Sequence, residues 1–173
     1  GLLYVPSTNG HSLVPFSEPD PDSPATLRFI TRWGRGGRGP TMPQGLPLFK
    51  PPYSQLVAFD MNAGEKLWGV PVGEGPRDHE ALQGLELPPL GNFEKLGGPL
   101  LTKTLLFIGQ GFETNRLGVY DKLSGEELWW MQLPARFHAA PITYMAGGKQ
   151  YIVLALGGGV SGAAERLMAL TLP

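Results

Sequence analysis

Apolar positions along this chain come in short runs, not in long helical stripes. Runs of aliphatic and aromatic residues begin at Leu2 ("LLYVPST"), Leu105 ("LLFIGQG") and Tyr151 ("YIVLALG"), and Gly, Pro or Ser stops each one. Two further runs, "GGPLLTKT" from Gly97 and "AAPITYMAGGK" from Ala139, put a Pro before a short apolar stretch and end in a turn. Runs of about 4–8 such residues bounded by turn formers predict strands. No run approaches the roughly 18 apolar residues of a membrane-crossing helix, so no membrane span is expected.

The pattern repeats. Residues 55–73 read "QLVAFDMNAGEKLWGVPVG", and residues 116–134 read "RLGVYDKLSGEELWWMQLP". Leu56 matches Leu117, Phe59 matches Tyr120, Asp60 matches Asp121, Gly64 matches Gly125, Glu65 matches Glu126, Leu67 matches Leu128, and Trp68 matches Trp129. The closing "RLMALTLP" resembles the first part of the same unit. The unit reads as four strands: A ("GPLLTK"), B ("LLFIG"), C ("LGVYD") and D ("EELWWMQL"). Its C–D link, D-x-x-x-G-E, carries the Asp and Gly that a tight reversal needs. A unit of roughly 40–60 residues with four antiparallel strands fits a β-propeller blade.

The fold class predicted is therefore all-β, a propeller segment of two to three four-stranded antiparallel blades. Residues 1–73 form an incomplete blade with a long insertion at 8–52, residues 74–96 a linker, 97–134 a complete blade, and 135–173 an incomplete last blade. The insertion predicts irregular loop with one short strand around residues 27–33, and the linker one helical turn at 81–85. A propeller closes with at least about four blades. The remaining blades are thus expected in a longer protein, or self-association is expected to cover the open sheet edges. The abrupt start at Gly1 on a strand-like run points the same way.

Composition adds exclusions. The chain of 173 residues holds 25 Gly and 18 Pro, which in company with these apolar runs means turn-dense structure and not disorder. The net charge of −1 gives no basic field for nucleic acid. The absence of cysteine removes disulfides, thiolate metal sites, iron–sulfur clusters and a Cys nucleophile. His11, His79 and His138 are scattered without metal-ligand spacing. "EPDPDSP" around Asp20 and Asp22 lacks the ligand ladder and closing Glu of a Ca2+ loop. Arg28, Arg32, Arg35 and Arg38 stand among glycines and could meet an acidic partner; the acidic run upstream balances them. "GGGVSG" at 157–162 scans as G-x-G-x-x-G, but no room follows for a βαβ unit and no acidic residue stands about twenty positions on. The serines lack a nucleophile-elbow context. Asp60 and Asp121 read as turn residues and not as bases.

"VAFDMNAGEKLW" and "GVYDKLSGEELW" resemble the tryptophan-docking motif of quinoprotein dehydrogenases, which use pyrroloquinoline quinone (PQQ). In order, "GLPLFKPPYSQLVAFD", "LGGPLLTKTLLFIG", "LPARFHAAPITYMAGGKQYIVLALGGG" and "LMALTLP" resemble the carboxy-terminal part of the glucose-dehydrogenase branch. The resemblance implies a ring of about eight blades, PQQ with Ca2+ near its axis, oxidation of a sugar or alcohol hydroxyl, a membrane or soluble electron acceptor, and a periplasmic location. It implies docking roles for Asp60, Gly64, Trp68, Asp121, Gly125 and Trp129. It places the catalytic Asp and the Ca2+ ligands upstream of this chain, which alone is then expected to be inactive. Asn9 resembles the residue that offers its amide, donor and acceptor together, to the quinone; before Gly10 it equally reads as a turn former. Leu96 resembles the floor under the quinone, aliphatic in the glucose branch, and Gly97 and Gly98 would let backbone approach it or simply turn the chain into a blade. His138 precedes the last strand A and reads either as facing substrate at the axis or as a residue at the start of a strand. Gly159 stands where the glucose branch can carry a His, so that sugar contact is not matched. The alternative is a propeller of the same repeat that binds no cofactor and serves as a protein-interaction scaffold.

Overall fold

The structure is a computed structural model that describes residues 1–11, 16–31, 39–93, 96–110, 114–137, 139–157 and 165–171. Its strands are β1 (Leu2–Thr8), β2 (Phe16–Ser17), β3 (Ile30–Thr31), β4 (Ser54–Asp60), β5 (Glu65–Pro71), β6 (Leu100–Leu101), β7 (Leu105–Gln110), β8 (Arg116–Asp121), β9 (Glu127–Gln132), β10 (Ile142–Ala146), β11 (Lys149–Leu156) and β12 (Arg166–Thr171). Three sheets carry the repeat, in the orders β1-β4-β5, β6-β7-β8-β9 and β10-β11-β12, and every pairing is antiparallel. Among the described residues of the expected strand at 27–33, Ile30–Thr31 are extended and pair with β2, which the hydrophobic pattern does not predict. The expected helical turn is a 3-10 turn at Glu80–Leu82, capped by the His79 ring. Strand A of the middle blade shortens to two residues. Pro99 cannot donate to a ladder, and Thr102 already turns back to the carbonyl of Leu105.

Both faces of the middle sheet are buried along β7 and β8. Along β7, Leu106 and Ile108 point to one side, Phe107 to the other, as the two-residue period of a strand dictates. The first side packs with Tyr4, Leu56, Ala58 and Val72 of the preceding sheet. The second, with Leu117 and Met131, packs against Ile152, Leu154 and Leu170 of the following one. The two end sheets leave apolar side chains exposed, among them Leu3, Leu67, Ile142, Tyr144 and Leu167.

The repeat extends to its irregularities. A β-bulge interrupts the β4–β5 register at Ala58/Phe59, and its counterpart interrupts β8–β9 at Val119/Tyr120. Leu67 and Leu128 are the extra residues. Each bulge brings the following Trp into register with the core-facing position opposite, Trp68 with Ala58 and Trp129 with Val119.

The hairpin turns are built alike. Asp60 Oδ1 accepts from the backbone N–H of Asn62 at 2.8 Å, and Gly64 closes the turn at φ +73°. Asp121 Oδ1 accepts from the N–H groups of Leu123 and Ser124, both at 2.8 Å, and Gly125 closes it at φ +77°. These N–H donors hold both carboxyls below their ordinary range. The second turn carries more than its own shape. The Trp68 ring lies over Gly125 so closely that a Cβ there would come within 2.6 Å of it. Its indole N–H donates to the carbonyl of Lys122 at 3.3 Å, and the hydroxyl of Tyr4 donates to the same oxygen at 3.2 Å. Trp129 remains 52% exposed, because the third sheet ends at its C strand among the described residues and offers no corresponding turn.

Gly64→Ala faces open space and should cost only the left-handed backbone term, about 1–2 kcal/mol. Gly125→Ala should cost that amount plus roughly 1–3 kcal/mol for displacing the indole. Urea unfolding of the two variants checks this, and equal losses would show that the indole does not seat on the turn. A carboxyl whose folded pKa is depressed contributes stability that is present above its unfolded value and lost as pH falls through the folded one. Urea midpoints should therefore decline below about pH 4. The double variant Asp60→Asn/Asp121→Asn, which keeps the acceptors, should show a flatter decline.

Candidate functional site

The carboxy-terminal ends of the three B strands meet segments that lead into other strands of the same sheet. Leu96 bridges to Gln110 at the end of β7, and Phe137 bridges to Leu156 at the end of β11 in the equivalent way. Gly97 donates to the carbonyl of Gly109 at 2.8 Å, and Gly157 to that of Arg136 at 2.9 Å. At the end of β1, the backbone N–H of Asn9 donates to the carbonyl of Tyr53 at 2.7 Å. Tyr53 in turn donates to Leu90 at 2.8 Å. The rim thus carries Asn9 from the first blade, residues 96–98 from the second, and Ala139 and Gly157 from the third. An open cleft of about 450 Å3 adjoins the last two, beside Leu156, Glu165 and Arg166.

The side chains proposed from sequence differ in what occupies them. Asn9 is exposed, and its amide nitrogen donates to the carbonyl of Pro52 at 2.7 Å. Leu96 is half-buried against the first core. Gly97 is buried, and a Cβ on it would lie 3.2 Å from the carbonyl of Ala139 and 3.4 Å from the Phe137 ring. A Cβ on Gly98 would lie 3.0 Å from that of Ala140. Both glycines therefore admit the start of the third blade. Of these residues, Asn9 keeps an exposed side chain whose amide oxygen suits a polar ligand edge, and Leu96 a partly buried aliphatic one. Among the described residues no group of three or more His, Asp or Glu could hold Ca2+. His138 and Gly159 lie outside the described residues, as do Arg32, Arg35, Arg38 and residues 158–162 of the glycine-rich run.

The remaining candidates have local structural tasks. The His11 ring stacks on Phe49 with centroids 3.8 Å apart. The guanidinium of Arg28 sits 5.3 Å from the Phe29 ring. Asp60 and Asp121 serve their turns. No helix among the described residues is long and apolar enough to cross a membrane.

Sequence reasoning passed over the polar residues buried beside the rim. Gln110 is completely buried, and its amide nitrogen donates to the Tyr120 hydroxyl at 3.2 Å. Its amide oxygen faces the Asn92 side chain at 3.5 Å. Burial, and then the charge of Glu127, push the Tyr120 phenol far above the ordinary tyrosine range. It stays protonated. The available signal was a glutamine at the end of an apolar strand, where the sibling strand has Ser7.

Comparison with known proteins agrees with this architecture. The family profile "PQQ: Glucose/ethanol/alcohol dehydrogenase, beta-propeller domain" matches residues 22–152. The quinoprotein glucose dehydrogenase of Escherichia coli (strain K12) is 35% identical over 118 residues, covering 67% of this chain and 15% of that protein. The quinate/shikimate dehydrogenase (quinone) of Acinetobacter baylyi is 33% identical over 120 residues, covering 66% of this chain and 14% of that protein. The solved quinohemoprotein alcohol dehydrogenase ADHIIG of Pseudomonas putida HK5 superposes with a TM-score of 0.54 at 22% identity, over 92% of this chain and 20% of its own, a likeness of fold. The chain thus spans about a seventh of the length of the curated relatives it matches. With sheets that repeat down to their bulges and a profile match over most of its length, this chain belongs to the β-propeller family of PQQ-dependent glucose, ethanol and alcohol dehydrogenases.

Proposed function

We propose that this chain is the carboxy-terminal propeller portion of a PQQ-dependent dehydrogenase that oxidises a sugar or alcohol hydroxyl. The observation that carries the reading is the shared rim, to which separate blades bring Asn9 and the 96–98 turn. Bound there, PQQ would supply a two-electron acceptor for the hydroxyl-bearing carbon. The chain's own part is to hold and to exclude. The Asn9 amide would orient the polar edge of the flat ring by hydrogen bonding. Leu96 would cover one ring face and keep water from it. The Trp68 contact with Gly125 serves, in this reading, as the family's docking motif and keeps neighbouring blades in register.

The catalytic base and the Ca2+ ligands belong to blades outside this chain, so the chain alone is inactive. It is one portion of a longer, periplasmic enzyme, and the exposed apolar faces of its end sheets pack against the remaining blades. Leu96 and the open rim favour this over the scaffold reading, which needs neither an amide nor an aliphatic wall at the axis.

The test adds PQQ and Ca2+ to the full-length protein and to this chain. Quinone absorbance after desalting and dye reduction with sugars and alcohols are then followed. The full-length protein should retain quinone and reduce dye; the chain alone should not reduce dye. Asn9→Leu in the full-length protein should weaken quinone retention about tenfold, the worth of one lost hydrogen bond to a polar ligand edge. A full-length protein that keeps no quinone would remove the dehydrogenase reading.

A further inference from the structure

A chain of polar groups crosses the interface between the first two blades, and every link points the same way. The N–H of Gly75 donates to Asn92 Oδ1 at 2.9 Å. Asn92 Nδ2 donates to Gln110 Oε1 at 3.5 Å, and Gln110 Nε2 to the Tyr120 hydroxyl at 3.2 Å. The Glu127 carboxylate, which takes Arg116 Nη2 at 2.8 Å, stands near that hydroxyl across Gly118. Gly118 makes the room: a Cβ there would lie 2.9 Å from Glu127 Oε1 and 3.0 Å from the Tyr120 oxygen.

Such a chain has one stable direction. The Tyr120 hydroxyl, kept protonated by burial and by the nearby charge of Glu127, turns a lone pair toward Gln110. That choice orients the Gln110 amide, with nitrogen to Tyr120 and oxygen to Asn92. Gln110 has no freedom to flip, because it is fully buried and a flip would set like groups together at both ends. Its backbone is the partner of Leu96, and the preceding carbonyl holds Gly97.

We infer that Gln110 is a positioning residue for the 96–98 turn, locked by the Asn92 and Tyr120 side chains. That it thereby tunes PQQ binding rests on the function proposed above; that it fixes the turn does not.

Hydrogen exchange on the full-length protein separates the two. Gln110→Leu and Tyr120→Phe should speed exchange at the Gly97 N–H about tenfold, the effect of losing one buried hydrogen-bond partner. The core amide of Leu56 should keep its protection. Unchanged exchange at Gly97, or equal acceleration at Gly97 and Leu56, would overturn the positioning role. In the same variants PQQ, titrated by its absorbance, should bind more weakly. Faster exchange with unaltered PQQ binding would leave the positioning role standing and overturn the placement of the cofactor against this turn.

Discussion

A four-stranded sheet that is apolar on both faces cannot exist alone in water, and that constraint organises this protein. The middle sheet sends Leu106 and Ile108 one way and Phe107 the other, so each face demands a neighbour. Burial of apolar area sets the force but not the angle between sheets. The angle comes from a few directed contacts, of which Trp68 on the turn of the next sheet is the clearest. One indole fills the space over Gly125, and its N–H shares the Lys122 carbonyl with Tyr4. The same parts recur unpaired at the ends of the stack, where nothing lies over Gly64 and Trp129 stands half exposed.

Stacking blades in this way leaves their B-strand ends side by side. The rim is therefore a by-product of packing, and its residues answer to two demands at once. Gly97 and Gly98 show this: their lack of a side chain lets the third blade start close by. Asn9, by contrast, is exposed, and its amide is spent on the carbonyl of Pro52. The buried amide of Gln110 ties the two levels together, since a polar group in that interior is tolerable only with every partner supplied.

Much of this was legible beforehand because the code for it is local. Strand period, the Asp and Gly of the reversal, and the spacing between Trp68 and Trp129 all act within one hairpin, so the repeat announced itself. Short pieces were less legible. The pairing of β2 with β3 joins residues of the long insertion that carry no alternation. The middle strand A was overestimated because a run of apolar residues does not disclose where its ladder partners stop.

By itself the sequence determined the all-β class, the succession of B, C and D strands, both hairpin turns and the family to which the chain belongs. Each of these is a matter of residue order over a few positions or of similarity along the chain. Only the tertiary structure decided that Trp68 is covered while Trp129 is not, that the paired glycines serve inter-blade packing, and that Gln110 and Tyr120 form a buried hydrogen-bonded pair beside the rim. Those facts depend on which sheets lie face to face, and contacts between residues distant in sequence leave no pattern in either partner alone.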